Sequence, residues 1–352
     1  MKNTHSKYRF SFGPWNIHEG ADPFGPPTRN TIAFADKLSE YRRLGFEGIQ
    51  LHDDDAVPNL NDHSAAEIAS KAGELKRVLD GEGLIPEFVA PRLWEDPLTI
   101  DGAYTSNDPA AREYARKRSR QCIDIARALD CRLIVLWLAR EGTYIREAKD
   151  SKVAVDRLAA AVEDMLAYDP DIRIAIEPKP NEPVDQAYIP TTGHAVALAY
   201  RTQAPERVGV VIESAHAILA GLDPSDEMGF ALAYDKLFSV HLNDQNGLKF
   251  DEDKAFGAVD LRRAFNQVRI LEKHGYGKRG EFVGLDVKAL RTQKAESATR
   301  HLSNSREIFL GLVDIVRALD ENHIDSLIQK RDYEALEFLI IQSLMGGRLA
   351  ME

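Results

Sequence analysis

Residues 172–178 read IRIAIEP, a short run of β-branched residues that ends on an acid, Glu177, and is closed by Pro178. A run apolar on both alternating faces is the pattern of a parallel strand covered on both sides. Working outward, the same phrase recurs. RLIVLW (132–137) and VGVVIE (208–213) flank it, LFSVHLN (237–243) and EFVGLD (281–286) follow, and RFSFGPW (9–15), EGIQLH (47–52) and IPEFVA (85–90) precede. Between these runs lie helix-like segments such as NTIAFADKLSEYRRLG, SAAEIASKAGELKRVLDGEG and DPAAREYARKRSRQCIDIARALD, the last with Asp108 placed to cap and Pro109 in the first turn. Eight strand–helix units, repeating at roughly 40 residues, predict an α/β fold, a (β/α)8 TIM barrel. A doubly wound sheet would show a glycine-rich phosphate loop after its first strand. Here that strand runs into GPWNIHEGADPFGPP instead.

The barrel is expected to occupy residues 1–295. A C-terminal helical extension, 296–352, carries apolar stripes (Leu310, Leu312, Val313, Ile315, Val316; then Leu336, Leu339, Ile340, Ile341, Leu344) that must bury on the parent barrel or on a neighbouring subunit. No linker or low-complexity segment divides the chain.

The formal net charge of −11 repels phosphate backbones and anionic lipid, and lysines and arginines are interleaved with acids along helix faces such as AREYARKRSRQ. Neither a nucleic-acid nor a membrane partner is expected. Cys122 and Cys131 lack zinc-type spacing and read as buried core thiols. With no apolar leader behind Met1 and no run long enough to span a bilayer, a cytoplasmic location is expected.

In such a barrel, chemistry is built at the C-terminal strand ends, and here those ends are polar. Strand two ends in His52, followed by Asp53, Asp54 and Asp55. Strand five gives Glu177 and then Lys179, strand six Glu213 and His216, strand seven His241 and Asn243, strand eight Asp286 and Lys288. Carboxylates and imidazoles crowded into one bowl repel one another unless a cation sits among them. Oxygen-rich ligation with one or two histidines suits Mg²⁺, Mn²⁺ or Co²⁺ better than structural zinc. Asp251 and Asp253, in NDQNGLKFDEDKAFG, form a DxD pair that reads as a surface turn or as two carboxylates aimed at one ion. Trp15 and Trp137 end strands one and four, as core packing or as an apolar wall over a polyol. His18, Glu182, His194 and His274 read as surface or capping residues.

The segments FSFGPW, DPFGPPTR, LHDDD, SNDPAAREYARKR, LWLAREG, IAIEPKPNEP, IESAHAILAGL, LNDQNGLKFDEDKAFGAVDLR and LDVKALRT resemble, in order across residues 10 to 292, the xylose isomerases of the short actinobacterial type. The resemblance implies an intramolecular oxidoreductase, an aldose–ketose isomerase with two divalent metal ions per chain. His52, oriented by Asp55, opens the sugar ring, and Lys179 holds the carbonyl oxygen. Glu177, Glu213 and Asp286 hold the first ion; Glu213, His216, Asp251 and Asp253 hold the second. Trp15 and Trp137 shield the reacting carbons, with Phe24 reaching in from a neighbouring subunit of a homodimer or homotetramer.

Three departures sharpen this expectation. His241 stands where the family has an aspartate completing the first site, which favours Mn²⁺, Co²⁺ or Zn²⁺ over Mg²⁺. Ala90 replaces a substrate-contact threonine and Trp94 a phenylalanine, so the pocket is reshaped where hydroxyls bind. The tail is shorter than the family's C-terminal arm. Together they imply a divergent sugar isomerase acting by ring opening and a metal-assisted 1,2-hydride shift. The alternative is a metal-dependent keto-sugar epimerase or lyase working by proton transfer through an enediolate; a non-catalytic sugar-binding barrel is the third reading.

Overall fold

All eight apolar runs are strands: β1 (Arg9–Phe12), β2 (Gly48–His52), β3 (Ile85–Ala90), β4 (Leu133–Trp137), β5 (Arg173–Glu177), β6 (Val208–Glu213), β7 (Leu237–Leu242) and β8 (Phe282–Leu285). The computed structural model describes residues 8–346. Residues 1–7, which carry part of the leader reading, and 347–352, the end of the tail, lie outside the described residues. The strands close in the order β1-β8-β7-β6-β5-β4-β3-β2, parallel throughout. Parallel neighbours need crossovers, which α1 (Phe34–Leu44), α2 (Ala65–Glu82), α3 (Pro109–Ala128), α4 (Ser151–Tyr168), α5 (Thr192–Ala199), α6 (Pro224–Ala233) and α7 (Leu261–Lys273) supply.

Helix α8 (Arg300–Ala318) follows β8 as the eighth barrel helix, setting Phe309 edge-on to Tyr8 and Phe10 at ring-centroid distances of 5.0 and 5.5 Å. The sequence division at 295/296 therefore falls just before the last helix of the barrel. Among the described residues, only α9 (Glu321–Lys330) and α10 (Tyr333–Leu344) run past the eight-unit repeat. Both are tied to α7, by ion pairs Arg269–Glu321 at 3.4 Å and Arg262–Glu337 at 2.6 Å. Part of the α10 stripe is buried on the same chain through Ile340, while Ile341 is left exposed.

Helix α3 shows how local sequence sets an element. Asp108 accepts a hydrogen bond from the Ala110 amide at 2.8 Å, Pro109 occupies the first helical position, and Ala111, Ala115, Cys122, Ile123 and Ala126 are fully buried. Both cysteines are free and buried; burial pushes the Cys131 thiol up to about 12. Asp108→Ala is expected to destabilise the protein by about 1 kcal/mol, read as a lower urea midpoint with an unchanged slope.

Two register shifts shape the interior. Between β2 and β3 the pairing steps from Ile49↔Pro86 to Gln50↔Phe88, and between β6 and β7 from Val210↔Leu237 to Val211↔Ser239. The residue skipped in β3 is Glu87, whose carboxylate turns into the barrel and accepts hydrogen bonds from Ser11, from Ser239 at 2.5 Å and from Gln50 at 3.2 Å. Beside this polar group packs an apolar cluster of Phe88, Ala90, Val135, Ala175, Val211 and Phe238. Gly284 is required beside them, because a Cβ there would come within 2.5 Å of the Val240 carbonyl oxygen and 2.6 Å of Gln50 Nε2. No helix among the described residues is long and apolar enough to cross a membrane.

Candidate active site

The register places the polar strand ends in one layer: His52 lies opposite Ala90, Trp137 opposite Glu177, and Glu213 opposite His241. Above that layer opens a cavity of about 460 Å³. Of the residues singled out in the sequence, Trp15, His52, Ala90, Trp94, Trp137, Glu177, Lys179, Glu213, His216, His241, Asp251, Asp253 and Asp286 all line it.

Local structure aims each donor. The short helix Ser214–Leu219 begins directly after β6, so Glu213 and His216, three apart, face the same way. Asn243 orients Glu213, donating Nδ2 to its Oε1 at 2.9 Å while its own Oδ1 accepts from the Ala215 amide at 2.7 Å. The loop after β7 is pinched by a backbone bridge between Asp244 and Lys254. Along it Asp251 and Asp253 turn inward, whereas Glu252 turns away to accept from the Asn246 amide at 2.8 Å.

Besides His52, Asp54 and Asp55 beside the aromatic residues, two donor sets result at the later strand ends, each with its ligand atoms within 4.8 Å of one another: Glu177, Glu213 and His241, and Glu213, His216 and Asp251. Glu213 belongs to both. Asp253 and Asp286 stand at the edge of these sets. Asp253 pairs with Lys288 at 2.6 Å, and Asp286 Oδ1 accepts from Trp15 Nε1 at 3.0 Å and Asn16 Nδ2 at 2.8 Å. Asp55 lies 3.3 Å from His52 Nδ1, and Lys179 Nζ donates to Asp251 at 2.8 Å.

The donor chemistry fits divalent cations. His216 Nδ1, both ring nitrogens of His241 and Asp251 Oδ1 are buried without a hydrogen-bond partner, an arrangement that is unfavourable unless something binds there. Burial and the neighbouring carboxylates of Asp251, Asp286 and Glu177 push the Glu213 carboxyl well above its usual range, and burial with Asp251 does the same to Asp253. Asp251 goes the other way: although burial opposes it, Lys179 and His216 hold its carboxyl well below the usual range. A cation among these groups relieves the repulsion.

Opposite the carboxylates stands an aromatic wall. The Trp15 ring lies 4.3 Å from that of His52, His52 lies 5.2 Å from Trp94, and Trp94 lies 4.6 Å from Trp137. Phe24 is not part of it; it is 81% exposed and meets Phe250 at 5.9 Å.

Several lining residues escaped the sequence reading as site residues, three polar ones among them. His18 and Glu182, read as surface or capping groups, line the cavity, and Glu182 accepts from the Asp251 amide at 3.1 Å and lies 3.3 Å from Lys179. Arg92 lines it beside His52. A signal existed for Glu182, which sits in the same IAIEPKPNEP segment as Glu177 and Lys179. Arg92 had none, since His52, Asp54 and Asp55, which give it a place in the site, come from the end of β2 and the turn after it.

Similar solved structures share the fold at low identity. A D-tagatose 3-epimerase-like protein superposes with a TM-score of 0.63 at 15% identity, covering 88% of this chain and 98% of that one. D-psicose 3-epimerase from Clostridium cellulolyticum H10 gives 0.61 at 16%, covering 88% and 99%. A 3-keto-D-glucoside 4-epimerase from E. coli gives 0.58 at 14%, covering 86% and 99%. The sequence itself matches the model of one family, described as xylose isomerase-like TIM barrel, over residues 38–302. A closed eight-stranded parallel barrel and a match across most of its length establish that the chain belongs to the xylose isomerase-like TIM-barrel family.

Proposed function

We propose that the protein is an aldose–ketose isomerase acting on a small unphosphorylated sugar with two divalent cations per chain. The observation that carries this reading is Glu213 shared by two buried donor sets that face an aromatic wall across one cavity. Bound divalent cations supply Lewis-acid polarisation of substrate oxygens and charge stabilisation. Glu177, Glu213 and His241 would hold one ion; Glu213, His216 and Asp251 the other, with Asp253 and Asp286 beside them. Trp15, Trp94 and Trp137 pack on C–H faces of the sugar and exclude water, which a hydride shift requires. In that step the hydrogen at C2 moves with its electron pair to C1 while the O2 proton ends on O1. Lys179, buried and held protonated by Asp251, would donate to the carbonyl oxygen. In a homodimer or larger assembly the exposed Phe24 would reach into the partner's pocket.

Proton-transfer epimerisation of a keto-sugar is the second reading. His241 in the first donor set favours it, as does the occurrence of sugar epimerases among the similar folds. A panel of aldoses and ketoses, deuterated at the reacting carbon and supplied with Mn²⁺, Co²⁺ or Mg²⁺, separates the two. Deuterium retained in an isomerised product supports the hydride shift; washout to solvent supports proton transfer. No turnover across the panel overturns both.

His241→Asp restores a hard oxygen ligand, and the Mg²⁺:Mn²⁺ affinity ratio is expected to rise about tenfold or more. Competitive equilibrium dialysis with metal analysis measures it. An unchanged ratio removes His241 from the ligand set.

A further inference from the structure

His52 has two candidate partners at one ring nitrogen. Its Nδ1 lies 2.7 Å from Arg92 Nη2 and 3.3 Å from Asp55 Oδ2. These contacts demand opposite proton placements. A guanidinium has no acceptor and stays protonated, so the Arg92 contact requires a bare lone pair on Nδ1, whereas Asp55 requires Nδ1–H. The shorter contact belongs to the group that can only donate. Asp55 Oδ2 also has a donor of its own, the His52 backbone amide at 2.8 Å.

Arg92 is held in place on several sides. Its Nε lies 3.0 Å from Asp54 Oδ1, its Nη1 reaches Glu95 at 3.1 Å, and its backbone amide donates to Asp53 Oδ1 at 3.1 Å. Asp53 is itself fixed by the Arg118 guanidinium through two bonds of 2.8 Å. The rings of Trp15 and Trp94 also pack on His52.

We infer that Arg92 sets the tautomer of His52, placing the ring proton on Nε2, so that the resting protein offers the pocket an N–H donor rather than a basic lone pair. Arg92 is thus a positioning residue. The consequence for chemistry rests on the sugar-pocket reading; the tautomer does not. An Nε2–H cannot take up the anomeric proton of a cyclic sugar, but it can donate to a sugar oxygen. His52 becomes a base at Nε2 only when Arg92 releases Nδ1 and the Nε2 proton exchanges through solvent onto Nδ1, where Asp55 accepts its hydrogen bond. The pocket at rest therefore suits a sugar already in its open-chain form.

The test is a long-range ¹⁵N–¹H correlation spectrum of the full chain labelled at histidine and loaded with diamagnetic Mg²⁺ or Zn²⁺, with the His52 signals identified by their loss in His52→Asn. Wild type is expected to show a protonated Nε2 and a bare Nδ1, and Arg92→Met to move the proton to Nδ1. A wild-type spectrum with Nδ1 protonated overturns the inference, as does an Arg92→Met spectrum identical to wild type. If Arg92→Met does not fold, the wild-type spectrum alone decides. Sugar turnover is not read in this experiment, so the inference and the proposed function fail separately.

Discussion

Glu213→Gln is expected to strip both cation sites at once and to lower turnover about 10³-fold or more, the scale of the charge stabilisation that bound cations supply at substrate oxygens. The substitution changes a charge and hardly any volume. Glu213 is the one side chain among the described residues that belongs to both donor sets, and Asn243, which now donates to its Oε1 at 2.9 Å, can still bond the amide oxygen, so local geometry survives. Metal analysis at saturation should fall from two ions per chain towards none. Asp251→Asn, which touches only the second set, should lose one ion and keep the other. If Glu213→Gln retains both ions, the shared-ligand reading is wrong.

The largest stability effect is expected away from the ligands, at Arg118. Its side chain and that of Asp53 are almost fully buried, joined by two bonds of 2.8 Å. Removing one member of such a pair strands the other charge in the interior, which costs about 3–5 kcal/mol. Arg118→Met should therefore lower Tm by roughly 5 °C, given an unfolding entropy of about 2 cal/mol/K per residue. Asp53→Leu combined with Arg118→Met should recover much of that loss, because no lone charge remains. A single variant as stable as wild type would mean that water or another cation already serves Asp53. The same pair props the backbone of Asp54 at 2.9 Å and of Arg92 at 3.1 Å. Its loss should therefore also loosen the wall around His52.

The barrel was legible in the sequence because strands buried on both faces must be apolar throughout; all eight runs could be bounded to within a few residues. The candidate donors stood out in the sequence for a related reason. A carboxylate or imidazole that closes such a run stands out against it, as Glu177, Glu213 and His241 do. Arg92 did not stand out. It lies in the loop after β3, where charge is ordinary, and its meaning depends on His52, Asp54 and Asp55 arriving from the end of β2 and the turn after it. The inner polar layer of Ser11, Gln50, Glu87 and Ser239 was hidden for the opposite reason, as single polar residues scattered through four apolar runs. The eighth helix was also read as the start of the extension, since periodicity tells that α8 is amphipathic and not what it lies against.

The register step between β6 and β7 bears on how such a protein can change over time. Extended without that step, the pairing of Val210 with Leu237 would set Glu213 against Val240 rather than His241. Side chains alternate between the two faces of a strand, so losing a single residue from β7 would exchange lumen and exterior along its upper half. Insertions and deletions in this lineage should then accumulate in the loops above the barrel and avoid the strands beneath, leaving substrate preference free to drift while the ligand layer stays locked by its alignment.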